Sequence, residues 1–415
     1  SFSAGYQGNG TSGIYIYGAQ LNTGSVAKPY FPTTNRLNIP QIDYTDGCPS
    51  ILIEPQRTNL RSYSESIITA NSYVTNNSRL STVSVTTPSS SNSANLFTLN
   101  VGANTGSNPD GFTYGIGSLT NVTQYTNSLF VKPFGTNIFR IRNNVSGIIY
   151  DFILTGSGIL PTLNNELQGA SIIPYSNGWY RVSWTYTTTS SVPGNRADFW
   201  KLTTDVADGT SGVYIWGAQI EQGSYATSYI PTVASTVTRN ATTVILNNSQ
   251  TLPSSYPFTL YTEAKFNNNY DTAIALIDSS RTDSFYSLRF LNNKIQGVVR
   301  PNTSESILTS SDNFSINTYY KIAITITDTT VKLFVDGIFQ GSISNTDIFL
   351  SGINDLLIGQ TRVLSDTLSR NSIKSAIVFK TELTDEEIFF LSSTEGENYF
   401  DSYTEMATKL NYIIE

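Results

Sequence analysis

A 22-residue segment occurs twice in this 415-residue chain. Residues 12–33 read SGIYIYGAQLNTGSVAKPYFPT, and residues 211–232 read SGVYIWGAQIEQGSYATSYIPT. Thirteen of the 22 aligned positions are identical, and the copies lie 199 residues apart. That spacing is too long for a solenoid period and suits a whole domain. Each copy reads as the end of a module. Tyr15 and Tyr17 alternate with Ile14 and Ile16, which is strand periodicity. Gly-Ala-Gln then brings the backbone close to a neighbour, and Gly24-Ser25 or Gly223-Ser224 makes a turn. Tyr-x-Pro-Thr leaves in an extended conformation, because a residue before proline avoids the helical region.

Composition agrees with strands. Charged residues are 13% of the chain, about half the usual share of roughly 25%. Ser, Thr and Asn must cover the surface instead, which strands and turns tolerate better than long exposed helices. Tyr and Phe, 25 and 21 in number, favour pleated, half-buried surfaces. The net charge of −7 argues against a grip on nucleic-acid phosphates. Cys48 is the one cysteine, so no intrachain disulfide can form. No apolar run approaches the length of a membrane-spanning helix, so no membrane insertion is expected. Histidine is absent, which removes the commonest general base and zinc ligand and every Ser-His or Cys-His nucleophile pair.

The expected fold class is all-β: tandem β-sandwich (jelly-roll) modules with a short C-terminal helix. Residues 1–35 read as the closing end of an incomplete upstream jelly roll, and the start at Ser1 reads as a cut from a longer chain. Residues 36–60 form a connector hairpin with an Asp46-Gly47 turn. Residues 61–240 form a full module, with strands expected at 128–132, 138–142, 148–154, 179–186, 197–202 and 213–220. Residues 241–396 form a different sandwich, with strands at 258–266, 273–277, 286–290, 294–299, 320–327, 331–335, 356–358 and 373–379. Asp336-Gly337 marks a tight hairpin in it. Thr384 and Glu387 form a capping box for one short helix, with Ile388 and Leu391 on its apolar face. In the tail, 397–415, Tyr399, Tyr403, Met406, Leu410 and Ile413 recur at steps of 4, 3, 4 and 3. That seam suits a subunit contact or a helix packed on its own domain.

Three runs carry a family likeness. GCPSILIEPQRTNLRSYSES (47–66) resembles a connector of phage tail-fibre and tail-associated proteins. VYIWGAQIEQGSYATSYIPT (213–232), with NGWYRVSWTYT (177–187) before it, resembles the closing half of carbohydrate-binding-module-like jelly rolls in those proteins. KIAITITDTTVKLFVDGIFQGSI (321–343), LLIGQ (356–360) and SAIVFKTELTDEEIFFL (375–391) are similar to laminin-G or concanavalin-like sandwiches. The resemblance implies two packed antiparallel sheets per module. It implies no fixed catalytic site; some such modules bind glycans and others are spacers.

Glycan binding needs exposed aromatic faces and polar side chains that meet hydroxyls. Trp179, Trp184 and Trp216 lie in alternating runs and read first as core. Trp200 shares that reading and is kept as a ligand-binding candidate. Asp278, Arg281 and Asp283 form a loop next to Phe285 and Tyr286, and this group suits a sugar, a Ca²⁺ ion or plain solvent. Asp205 and Asp208 are the candidate metal ligands, for a structural Ca²⁺; no other cofactor is expected. Asp336 is better explained by its turn. Arg57 and Asn59 read as fixing the connector, with Arg57 paired to Glu54. The carboxylates of the second sandwich show no pair alternating on one strand, so catalysis is not expected.

The resemblance therefore implies a non-catalytic, homotrimeric virion fibre or receptor-binding protein, contacting other virion proteins and a host-surface polysaccharide or glycan. Multivalency would raise weak individual affinities. The alternatives are a structural fibre or spacer, a secreted bacterial adhesin, and a polysaccharide depolymerase.

Overall fold

The computed structural model of the protein describes residues 40–44, 47–68, 72–74, 78–99, 111–115, 119–143, 149–160, 169–189, 196–200, 208–247, 251–278, 280, 284–301, 305–360 and 371–393. All belong to one compact unit, Pro40–Glu415. The repeat copy at 12–33 and the heptad seam at 399–413 lie outside the described residues.

Three short strands come first: β1 (Gln41–Asp43), β2 (Ser50–Ile53) and β3 (Arg57–Asn59). The first sandwich contains β4 (Ser72–Val74), β5 (Ser78–Val83), β6 (Ala94–Leu99), β7 (Gly111–Gly115), β8 (Gln124–Phe134), β9 (Ile138–Asn143), β10 (Ile149–Ile153), β11 (Ser171–Pro174), β12 (Tyr180–Thr187), β13 (Arg196–Trp200) and β14 (Gly212–Gln222). β15 (Val237–Arg239) leads out of it. The second sandwich contains β16 (Val244–Asn247), β17 (Phe258–Phe266), β18 (Tyr270–Ile277), β19 (Phe285–Leu291), β20 (Lys294–Arg300), β21 (Ser306–Thr309), β22 (Tyr319–Ile326), β23 (Thr330–Val335), β24 (Ile338–Ser344), β25 (Asp355–Ile358), β26 (Asn371–Phe379) and α1 (Asp385–Ser392).

Every pairing between strands is antiparallel. In the first sandwich a sheet β10-β9-β13-β7-β4 packs on a sheet β11-β12-β8-β14-β6-β5. Leu129 and Val131 from one meet Phe139, Ile141, Tyr150 and Phe152 from the other. In the second, β1-β2-β26-β17-β22-β23-β24 packs on β16-β25-β18-β19-β20-β21. Its core includes Phe258, Leu260, Ile322, Ile324 and Leu333 against Ile274, Leu276, Leu288 and Phe290. Each such side chain, fully buried, contributes about 1.5–3 kcal/mol relative to exposure.

Local chemistry sets the ends of several elements. Asp336 and Gly337 have φ of 50° and 80°, the left-handed pair that a two-residue hairpin between β23 and β24 demands. The Asp336 carboxylate also accepts from the Lys321 backbone N–H. At α1 the Thr384 hydroxyl accepts from Glu387 N–H, and the Glu387 carboxylate accepts from Thr384 N–H. Ile388 and Leu391 are buried against Tyr261, Ala323 and Phe334 of the seven-stranded sheet.

The connector is built into both sandwiches. β2 pairs with β26, so the β1–β2 hairpin extends a sheet of the second sandwich. β3 pairs with β15, the exit strand of the first. Between them Glu54 is fully buried and ion-paired with Arg239, 185 residues away, and it also accepts from Ser228 N–H. The expected Arg57–Glu54 pair does not form. The Arg57 guanidinium instead lies over the Tyr225 ring, and its terminal N–H donates to Gln56 O. Arg239 wins because β15 lays it beside β3, in register with Arg57, where it reaches the buried carboxylate.

Asn59 completes the joint. Its amide N–H groups donate to Ala218 O and Ile230 O, and its oxygen accepts from Ile220 N–H and Arg61 N–H. Ala218 O and Ile220 N–H are free for it because β6 pairs with β14 only as far as Ile215, and β14 then bulges between Trp216 and Gln219. Gly217 there has φ of 65°, and a Cβ would fall 2.8 Å from the Phe130 ring. The close backbone approach expected for Gly-Ala-Gln is this one.

Candidate functional site

The aromatic content of the first sandwich is divided between two faces of one sheet. On β8, Tyr125, Leu129 and Val131 point into the sandwich, so period-2 alternation sends Phe130, Lys132 and Phe134 outward. β14 lays Tyr214 beside Lys132 and Trp216 beside Phe130. Trp179 and Trp216 are almost fully buried, as the core reading expected, but on this outer face, in a cluster with Ala94 and Phe130. Trp184 is the one in the core between the sheets. The Trp179 indole donates to Thr86 O.

Half of this outer face is closed. The return segment after β14 lies over it: Thr126 Oγ1 donates to Gly223 O, Thr185 Oγ1 to Ser224 O and Arg181 to Thr227 O. Glu221 is buried beneath, accepting from Thr227 N–H and its hydroxyl. Burial pushes the Glu221 carboxyl above the usual range, against the Thr227 hydrogen bonds and the nearby Arg181 and Arg57 charges.

The other half is open and aromatic. Tyr175 is 49% exposed and meets Phe130 edge-on at 5.2 Å. Phe134 is 39% exposed and lies 5.1 Å from the half-buried Tyr214. Lys132 stands between Phe130 and Phe134 on the same strand, and its stem passes Gly178. Asn177 is exposed in the turn after Tyr175. The Trp216 Nε1–H has no acceptor among the described residues. The strip thus pairs ring faces with an ammonium and an amide, which is what stacking on sugar C–H groups and bonding to hydroxyls requires. Composition could not find it. The signal in the sequence is the outward register Phe130, Lys132, Phe134 against Tyr214, and it becomes readable only once β8 and β14 are paired.

The residues expected from the sequence fare differently. Tyr286 is fully buried in the second core; its hydroxyl accepts from Leu350 N–H and shares a hydrogen bond with the Tyr256 hydroxyl. Phe285 is 6% exposed. Neither ring offers a face for stacking, because both sit on β19 in the middle of a sheet. The Asp278 carboxylate accepts from the Ser280 N–H and hydroxyl, so it shapes its own loop. Arg281 and Asp283 lie outside the described residues, as does Asp205, and of Trp200 only the backbone, in β13, is described. Asp208 accepts from Thr210 N–H, Ser211 N–H and Ser211 Oγ. Those hydrogen bonds hold its carboxyl far below the ordinary range and fix the turn at 208–211. Among the described residues no group of three or more Cys, Asp or Glu gathers to hold a metal, and no helix is long and apolar enough to cross a membrane.

Three further carboxylates of the second sandwich are engaged too. Glu263 pairs with Lys374 at 2.8 Å, and Asp355 accepts from Asn247. Asp271 is buried beside Asn371, and burial raises it to about 8 against hydrogen bonds from Asn371 and Asn268 N–H.

Residues 238–389 match the family model of the concanavalin A-like lectin/glucanases superfamily. No curated protein matches the sequence. Among solved structures the chain is similar to the receptor binding domain of botulinum neurotoxin C/D mosaic serotype, at 17% identity and a TM-score of 0.30. That likeness covers 37% of this chain and 40% of that one, so the chain spans about two fifths of the toxin domain. It is also similar to the CBM40 of Ruminococcus gnavus IT-sialidase (16% identity, TM-score 0.31, 34% of this chain and 85% of that one). A third is the SAP-like pentraxin of Limulus polyphemus (17%, 0.32, 37% and 76%). With its two antiparallel sheets and the family match over residues 238–389, the second sandwich has a concanavalin A-like sandwich fold.

Proposed function

We propose that this chain is a non-catalytic glycan-binding protein of the virion-fibre or receptor-binding type, attaching a bacteriophage to a host-surface polysaccharide. The observation that carries the reading is the open aromatic strip of Tyr175, Phe134 and Tyr214 with Lys132 on the first sandwich. A lectin-like second sandwich supports it. The phage setting rests on the runs 47–66 and 213–232, which resemble tail-fibre connectors and jelly rolls. The matched superfamily includes glucanases as well as lectins. The binding reading is favoured over the catalytic one because Glu263 is held in an ion pair, Asp278 in its own loop, Asp336 in a turn and Asp355 by a hydrogen bond from Asn247. Assembly is proposed to be a homotrimer beside other virion proteins, which would turn weak sites into useful avidity.

A glycan array probed with the full chain tests this. Reproducible binding that Tyr175→Ala weakens is the expected result. A second reading, a structural spacer, draws on the buried Glu54, Asn59 and Arg239 joint, which ties the two sandwiches together as a stiff element requires. An array with no bound glycan would favour the spacer.

A further inference from the structure

Among the described residues, only part of the outer face of the seven-stranded sheet is covered. α1 lies over Tyr261, Ala323 and Phe334. Toward β1 and β2 the same face carries a different set of side chains. Alternation along β17 puts Glu263 and Lys265 on the side of Tyr261. Across the ladder, Lys265 is the register partner of Tyr319.

Lys374 reaches this face through a β-bulge. Glu263 pairs with Ser375 and Ala264 with Ile373, which leaves Lys374 as the extra residue of β26. A bulge of this kind re-aims a side chain. Here it carries the Lys374 ammonium to 2.8 Å from Glu263 Oε1 and 4.0 Å from the centre of the Tyr319 ring. The Lys265 ammonium lies 4.8 Å from the same ring, and the Tyr319 hydroxyl bonds Ser50 Oγ of β2 at 3.2 Å. Burial lowers the basicity of Lys374, but the Glu263 hydrogen bond and charge outweigh it and hold the ammonium above the ordinary lysine range.

A Lys–Glu pair on an open surface is mobile and contributes little. This pair is held from three strands, with side chains only 21% and 16% exposed. Its hydrogen bond uses one carboxylate oxygen and one of three ammonium protons. Glu263 Oε2 has no hydrogen-bond partner among the described residues. The result is a fixed acceptor beside a fixed donor. Two adjacent hydroxyls are the complement: one donates to the carboxylate, and its neighbour accepts from the ammonium. Pre-organisation reduces the ordering penalty of such contacts.

We propose that Glu263 and Lys374, steadied by Tyr319, form a second carbohydrate-contact site that takes a sugar through a pair of vicinal hydroxyls. The proposal rests on the glycan-binding reading and is separate from the aromatic strip, since the two sites lie on different sandwiches.

The test is saturation-transfer NMR titration of the full chain with the methyl glycosides of mannose, glucose and galactose. Each is also run as a derivative lacking one of two vicinal hydroxyls. Glu263→Gln is expected to raise the dissociation constant of at least one of these sugars about tenfold or more, as loss of a charged acceptor should. The deoxy sugar should lose the same factor on the wild-type chain. The Glu263→Gln effect is also read in a Tyr175→Ala background, so that sugar held on the aromatic strip does not mask it. Lys374→Met keeps the stem and serves as the second variant, with an unchanged thermal melt as its fold control. If Glu263→Gln and Lys374→Met both bind every sugar as the wild type does, while Tyr175→Ala abolishes binding, the second site is refuted and the aromatic strip stands. If the wild-type chain binds no sugar at all, the glycan reading fails and this proposal with it.

Discussion

Asn59→Ala should strongly destabilise the first sandwich. The amide fills all its hydrogen-bonding capacity, with bonds of 2.8 and 3.3 Å to Ile230 O and Ala218 O, and 3.0 and 3.1 Å from Arg61 and Ile220 N–H. Ala218, Ile220 and Ile230 are fully buried and Arg61 nearly so, which leaves water no easy substitute route. An orphaned buried donor costs about 1–3 kcal/mol, and carbonyls with a second lone pair less. Two donors and two carbonyls together give about 3–6 kcal/mol, a large part of a typical total of about 5–15 kcal/mol. Asn59→Asp should be at least as harmful, since its second oxygen would face two carbonyls. Thr58→Ala is the control. Its hydroxyl meets Thr238 on the exposed side of the same strand, and its loss should stay within about 1 kcal/mol. Urea unfolding followed by tryptophan fluorescence is the assay. Trp179, Trp184, Trp200 and Trp216 are the four tryptophans of the chain, and all lie in the first-sandwich segment, so the signal reports that sandwich alone. At a slope of about 2 kcal/mol per molar urea, the midpoint should fall by roughly 1.5–3 M. A shift worth less than 1 kcal/mol for Asn59→Ala would refute the claim that this amide holds the joint.

Three further outcomes are expected. Asp271 has its carboxyl raised by burial from 3.8 to about 8, so its contribution to stability is complete below 3.8 and is lost as pH rises through 8. Asp271→Asn should remove that loss, so the wild type should weaken relative to the variant from pH 5 to 8, by up to about 1.4 kcal/mol per pH unit, and level off above pH 8; parallel melting curves would overturn the assignment. Gly337→Ala should destabilise the second sandwich by about 1–3 kcal/mol in a thermal melt, because φ is +80° and a Cβ would fall 2.7 Å from the Ser393 Cβ. Light scattering should give a trimer for the full chain and a monomer after truncation at Gly396, whereas a monomer in both cases would make the tail a packing helix and not an assembly element.

Much of the fold was legible because it is local. Alternation of apolar and polar residues marked β17 over 258–266 and the central parts of β8, β12, β14 and β22. The Asp336-Gly337 turn and the Thr384–Glu387 capping box depend on residues two or three apart, and both form as expected. The strands β4 to β7 and β24 escaped notice. Gly341 interrupts IFQGSIS, and GFTYG is bounded by glycines and pairs with β4 and β13, both distant in sequence.

The sequence by itself determined the all-β class, the turns and caps, and which residues alternate along each strand. Those follow from backbone sterics and from hydrogen bonds that close within a few residues. Only the tertiary structure decided which of the two alternating faces is core. Tyr286 was drawn into the core between the sheets and Phe285 into a cluster on the opposite face of β19, while Phe134 and Tyr175 were left in the open. It also decided the long-range partners. Glu54 meets Arg239 rather than its neighbour Arg57 because β3 and β15 are adjacent in space, and no local pattern encodes that. Lys374 meets Glu263 through a bulge whose position depends on the register of two strands more than a hundred residues apart. Period-2 alternation has two solutions for every strand, and burial against a second sheet is what selects one.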